Sequence, residues 1–166
     1  MVAARSARWL WLALAILCAD RASKYAIERL TDEGFRRPLI PNFADLVHSV
    51  NAGIAFGLLS ESASKWISLV LVLSSAAVIL LLGWLLFAGH AGRLESQAGI
   101  ALIAGGAAGN LLDRLLHGGV TDFLELRAGN FRWPAFNLAD SAITIGAALI
   151  IFELLSGERH ASGARI

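Results

Sequence analysis

From Trp66 to Phe87 the chain runs 22 residues without a charged side chain. About 20 consecutive apolar residues make a helix that spans the ~30 Å hydrocarbon core of a bilayer. A helix apolar on all sides has no face to offer water, so it is buried in protein or in lipid. Three further apolar stretches lie at about 9–28, 98–116 and 137–155. The chain has 166 residues and is 57% hydrophobic, above the roughly 45–50% of soluble domains. That excess falls in long runs, which points to membrane spans rather than one large core. The expected fold is an all-α integral membrane protein, a single domain over residues 1–166. It has four transmembrane helices, and a small extramembrane β or loop element on the outer face.

Composition excludes several function classes. The net charge of +1 gives no electrostatic case for nucleic acid. The lone Cys18 cannot form an intrachain disulfide. His48, His90, His117 and His160 are scattered and carry no zinc-binding spacing, so neither metal nor cofactor is expected.

Arg5 and Arg8 precede the first apolar run, which is also the order of a cleaved signal peptide. Leu17 is bulky where a cleavage site favours a small residue, and the helical pattern continues through Asp20, Lys24 and Tyr25. An uncleaved first span is therefore expected. Asp20 and Lys24, four residues apart, share a helix face and can pair. They make either an ion pair near a helix end, with Lys24 snorkelling to the interface, or a polar wall of a site.

Residues 29–65 and 117–136 are too polar for the bilayer core and contain Gly34, Pro38, Pro41, Gly118, Gly119 and Pro134, which break helices. Phe43 to Val50 has some strand character, in Leu46-Val47-His48-Ser49-Val50. The Asn51-Ala52-Gly53-Ile54-Ala55-Phe56-Gly57 stretch reads as a turn, with Asn51 bonding its own backbone, or as a close backbone approach to a ligand. In the third span, Ala101, Gly105 and Gly109 form a stripe of small residues that admits a neighbouring helix. At its far end Asn110, Asp113 and Arg114 share one face, which must look onto protein or a wet cleft. Asn137 is placed as the N-cap of the fourth span, with Asp140 in its first turn.

Four spans then impose a parity. The end of the first, both long loops, the end of the third and the start of the fourth share one membrane side. Asp20, Lys24, Asn51, Asn110, Asp113, Arg114, Asp122, Asn137 and Asp140 all fall on that side, which makes a single site there the leading expectation. Basic residues do not fix its orientation: Arg5, Arg8, Arg93, Arg159 and Arg165 stand against Arg29, Arg36, Arg37, Lys65, Arg127 and Arg132.

Taken singly, Asp140 is an ordinary helix cap and Asp122 an ordinary turn residue. Held close together, two carboxylates cannot both ionise easily, and one keeps a proton. The anion then takes a proton from water as it attacks a carbonyl, and the acid protonates the carbonyl oxygen and later the leaving amine. The helix N-terminus favours charge on Asp140, leaving the proton to Asp122. Two other classes compete: a transporter or proton relay, which needs polar groups through the depth of the bilayer, and a non-catalytic lipid-binding scaffold.

Four ordered stretches carry a family resemblance. They are Asp20-Arg21-Ala22-Ser23-Lys24, the Asn51 to Gly57 run, Gly109-Asn110-Leu111-Leu112-Asp113-Arg114 with Gly119-Val120-Thr121-Asp122-Phe123, and Phe136-Asn137-Leu138-Ala139-Asp140. Over nearly the whole chain these resemble lipoprotein signal peptidase, or signal peptidase II. The resemblance implies an aspartyl endopeptidase of the bacterial inner membrane, without cofactor. It would remove the signal peptide of a prolipoprotein by cutting before a diacylglyceryl-modified cysteine. It maps the catalytic pair onto Asp122 and Asp140. Asn51, Asn110, Arg114, Asn137, Asp20, Lys24, Asp113 and Ala139 become supporting or substrate-binding residues. It further implies cytoplasmic termini, a site near the periplasmic face, and a monomer in contact with lipid. Arg21 departs from the pattern, where the family commonly has Gln.

Overall fold

A computed structural model describes residues 2–53 and 65–163, with side chains over 8–53 and 66–156. Among the described residues there are four long helices and a four-stranded sheet, which two of the helices touch mainly through one strand. In chain order the elements are α1 (Val2–Leu30), β1 (Arg36–Ile40), β2 (Ala44–Asn51), α2 (Lys65–Phe87), α3 (Leu94–His117), β3 (Val120–Ala128), β4 (Phe131–Phe136) and α4 (Leu138–Gly163).

Helix α3 is the centre of the bundle and touches α1, α2 and α4. Its small residues make this possible on two sides. A Cβ on Gly105 would stand 2.5 Å from Ala13 O of α1, and one on Gly106 would stand 2.5 Å from Ala139 O of α4. Only glycine permits backbones this close. The expected stripe of Ala101, Gly105 and Gly109 is buried, and Gly106 adds a second contact face that the every-fourth-residue pattern does not mark.

Among the described residues, three helices are long and apolar enough to cross a membrane: Trp66–Phe87, Leu94–His117 and Leu138–Ser156. Helix α1 is not among them; over its described side chains its apolar run carries Asp20, Arg21, Lys24, Glu28 and Arg29. Its 29 residues are nevertheless helical throughout. Helix α4 continues past residue 155, the expected end of the fourth span, and the backbone of residues 156–163 is helical.

The expected strand character at residues 43–50 becomes β2, and the sheet around it is larger than that stretch alone suggested. The sheet is an antiparallel meander in the order β1-β2-β3-β4. Its prolines hid it: Pro38 and Pro134 sit on the two edge strands, where no ladder hydrogen bond is lost. Asp45 staples the meander, accepting from Arg36 at 2.7 Å and Arg127 at 2.6 Å, while Arg36 also holds Glu125 at 2.6 and 2.7 Å. The expectations for residues 54–57 lie outside the described residues.

The far end of the bundle is tied separately. Trp9 Nε1 donates to Gln97 Oε1 at 2.8 Å, and the Glu153 carboxylate accepts the N–H groups of Arg93 (2.9 Å) and Ser96 (3.0 Å) at the start of α3. The start of α1, the α2–α3 turn and the late part of α4 therefore meet at one end. The sheet and the polar groups occupy the other. That is the arrangement of four alternating helices.

Candidate active site

The Asp20 and Lys24 side chains are fully buried, and so is Asp113. Lys24 does not snorkel. Its Nζ lies 2.7 Å from Asp20 Oδ2 and 2.9 Å from Asp113 Oδ2, and it donates to Asn110 Oδ1 at 2.9 Å. One lysine thus bridges two carboxylates, of which Asp113 also pairs with Arg21, and orients an amide. Asp20 reaches further, accepting the N–H of Ala139 at 2.9 Å in the first turn of α4. Buried charges persist only when paired and hydrogen-bonded in this way.

Asn110 passes the order on. With its Oδ1 held by Lys24, its Nδ2 donates to Asp140 Oδ1 at 2.9 Å. Asn137 caps α4 as its sequence position predicts: its Oδ1 accepts the N–H of Asp140 at 2.9 Å, and Asp140 Oδ2 accepts the N–H of Asn137 at 3.3 Å. Its Nδ2 donates to Asp122 Oδ1 at 2.7 Å. Asp122 lies near the start of β3, paired with Ser49 of β2, and Asn51 at the end of β2 bonds its carboxylate. Asn51 also accepts the N–H of Gly53 at 3.0 Å, the local bond of the turn reading.

Asp122 and Asp140 open into one cavity of about 720 Å³. Its polar wall is Asn51, Asn110, Arg114 and the two aspartates; its apolar wall includes Leu126, Trp133, Phe136, Ile143 and Ile145. Arg114 does not bond Asp113. It donates to the carbonyl of Asn110 at 3.3 Å and lines the cavity. Burial pushes the Asp122 carboxyl up, the nearby Asp140 charge adds to this, and hydrogen bonds from Asn137 and Asn51 offset part of it; the result is about 7. Asp122 is therefore the member disposed to hold a proton near neutral pH.

Every expected site residue is brought into this cluster. Sequence reasoning missed Arg21, Glu28 and Thr121. Arg21 Nη1 bonds Asp113 Oδ1 at 2.8 Å and Glu28 Oε1 at 3.1 Å, Arg21 Nη2 also bonds Glu28 Oε2, and Thr121 Oγ1 donates to Glu28 Oε1 at 2.9 Å. The available signal was the seven-residue spacing of Arg21 and Glu28, two helical turns on one face. Among the described residues, Glu28, Asp113 and His117 alone place three metal-capable side chains within 4.8 Å. Arg21 bonds both of those carboxylates, so their charge is already compensated.

Residues 12–156 match the model of the signal peptidase II family. The chain is 40% identical to a lipoprotein signal peptidase of Solibacter usitatus over 91% of its own length and 92% of that protein. It is 42% identical to one of Azoarcus sp. over 92% of its length and 85% of that protein. A solved bacterial membrane enzyme superposes with a TM-score of 0.80 at 30% identity, covering 90% of this chain and 88% of the other.

Proposed function

The chain belongs to the signal peptidase II family, and from that membership we propose how it removes signal peptides from prolipoproteins. It is an aspartyl peptidase of the membrane. Asp122 and Asp140 are its catalytic pair, and the scissile bond precedes a diacylglyceryl-modified cysteine. The observation that carries this reading is the convergence of both carboxylates on one cavity, each held by Asn137.

In the mechanism, ionised Asp140 takes a proton from water as the water oxygen attacks the scissile carbonyl carbon. Protonated Asp122 gives its proton to the carbonyl oxygen, and a gem-diol forms. As the C–N bond breaks, the leaving nitrogen receives the proton held by Asp140. Asp122 recovers a proton from a gem-diol hydroxyl, which restores the starting state. The capping N–H groups at the start of α4 favour the charge on Asp140. Burial keeps the proton on Asp122. Asn51, Asn110 and Asn137 orient the aspartates, Arg114 faces the substrate from the cavity wall, and Asp20, Lys24 and Asp113 hold the three elements that carry them.

The whole chain, 1–166, acts as one domain, a monomer with α1 as a fourth span. The charged residues of α1 argue against that span only if they face lipid, and Asp20 and Lys24 are buried against α3. The termini lie in the cytoplasm and the site near the periplasmic face of the inner membrane. The apolar wall of the cavity suits a signal helix and acyl chains entering sideways from lipid. The test is purified protein in lipid with a diacylglyceryl-modified prolipoprotein. The reading expects mass spectrometry to find the modified cysteine as the new N-terminus, and a chelator to leave the rate unchanged. Cleavage at another bond, or loss of activity to the chelator, contradicts it.

A further inference from the structure

Thr121 and Asp122 are consecutive on β3, so their side chains leave opposite faces of the strand. They line different cavities. Asp122 faces the 720 Å³ chamber; Thr121 faces a second cavity, of about 580 Å³, together with Arg21, Glu28 and His117. Nothing in the reaction above uses that second face.

Three elements nevertheless hold residue 121. Its hydroxyl donates to Glu28 of α1, its N–H donates to Asp113 Oδ2 of α3 at 3.4 Å, and its carbonyl accepts from Asn137 Nδ2 of α4 at 3.4 Å. Glu28 cannot swing away, because Arg21 grips both of its oxygens and is itself anchored on fully buried Asp113. Glu28 sits near the C-terminal end of α1, past the Asp20–Lys24 pair, and its side chain is 21% exposed. It has no packed core to fix it, so the guanidinium does so.

We propose that Arg21 and Glu28 are positioning residues that fix Asp122 through Thr121. The brace holds the β3 backbone one residue before the carboxylate from the face opposite the substrate. A side chain at the next position then swings less about the strand axis. This inference rests on the aspartyl-pair reading of the site. The chain has placed an arginine at position 21, and an uncharged side chain there would leave Glu28 without its clamp.

The test measures cleavage of lipidated prolipoprotein by Thr121→Val, Thr121→Ser, Glu28→Ala and the Glu28→Ala/Thr121→Val double variant. Valine keeps the shape and strand preference of threonine and removes only the hydroxyl. A misplaced reacting group costs up to roughly 100-fold in rate. The expected result is a 10- to 100-fold lower kcat for Thr121→Val with KM within about twofold, restored by Thr121→Ser. Glu28→Ala adds nothing in the Thr121→Val background, because both changes break one link. Wild-type kcat in Thr121→Val overturns the proposal, as do losses that multiply in the double variant. If Thr121→Val does not fold, Glu28→Ala decides alone, and wild-type kcat there overturns the proposal. Asp122→Asn is assayed alongside: if it still cleaves, the aspartyl-pair reading has failed rather than the brace.

Discussion

Asn137 and Asp140 cap each other at the start of α4, each accepting the other's backbone N–H, at 2.9 and 3.3 Å. The same asparagine holds Asp122 at 2.7 Å. One side chain therefore fixes both the helix start that carries Asp140 and the Asp122 carboxylate, so stability and activity are separable here. Asn137→Ala loses the cap, at a cost of about 0.5–2 kcal/mol, and loses roughly 100-fold in kcat as the aspartates drift. Asn137→Ser retains a capping oxygen but cannot reach Asp122. Thermal unfolding in detergent is expected to recover in Asn137→Ser while the rate stays low.

Asp122 gives the enzyme a pH signature. Its carboxyl titrates at about 7, raised from an ordinary value of 3.8. Between those values the folded protein holds a proton that the unfolded chain has lost. Stability from this group is therefore full below 3.8, falls as pH rises toward 7, and is level above it. Asp122→Asn removes that slope, and the variant is expected to unfold at a higher temperature than wild type at pH 8. The rate falls on the same side, because above about 7 both carboxylates ionise and no acid remains. The pair titrates as a unit, so the alkaline limb of kcat reports the pair.

Lys24 bridges buried Asp20 and Asp113. Lys24→Met leaves Asp20 without a cation and Asp113 with Arg21 alone, in a low-dielectric interior. Breaking a buried pair by removing one partner costs about 3–5 kcal/mol. The expected outcome is a large drop in thermal stability, partly relieved by also changing Asp20 to Asn. An unchanged melting temperature for Lys24→Met would contradict the buried-network account.

Gly106 sets the distance between α3 and α4. Its substitution by valine puts Cβ 2.5 Å from the carbonyl of Ala139, a backbone atom that cannot rotate aside. Overpacking of this kind costs about 1–3 kcal/mol. Because Ala139 adjoins Asp140, Gly106→Val is expected to lower kcat more than Gly83→Val, where a Cβ meets nothing within 4 Å.

The sequence marked the site more fully than the fold around it. Asp20, Asn110, Asp122 and Asp140 were legible because isolated polar groups beside apolar runs are costly, and the alternation of spans put them on one side. The capping role of Asn137 was legible because caps are local. Of the sheet, a small β element with strand character at residues 43–50 was legible; the edge strands were not, because Pro38 and Pro134 read as breakers until the strands are seen to be edges. Lys24 read equally well as a snorkelling residue, since its burial depends on α3 packing closely enough to shelter it. Thr121 was missed for a similar reason: its link to Glu28 spans 93 residues between α1 and β3, and the seven-residue spacing of Arg21 and Glu28 does not point to it.

The account stands on two carboxylates working as one. Its most direct test is cleavage of a diacylglyceryl-modified prolipoprotein by Asp122→Asn and Asp140→Asn, each isosteric with wild type and checked for an intact fold. Acid–base groups contribute roughly 10²- to 10⁴-fold, so both variants are expected to lose at least that much in kcat while still binding the substrate. Cleavage near the wild-type rate by either variant would contradict the account.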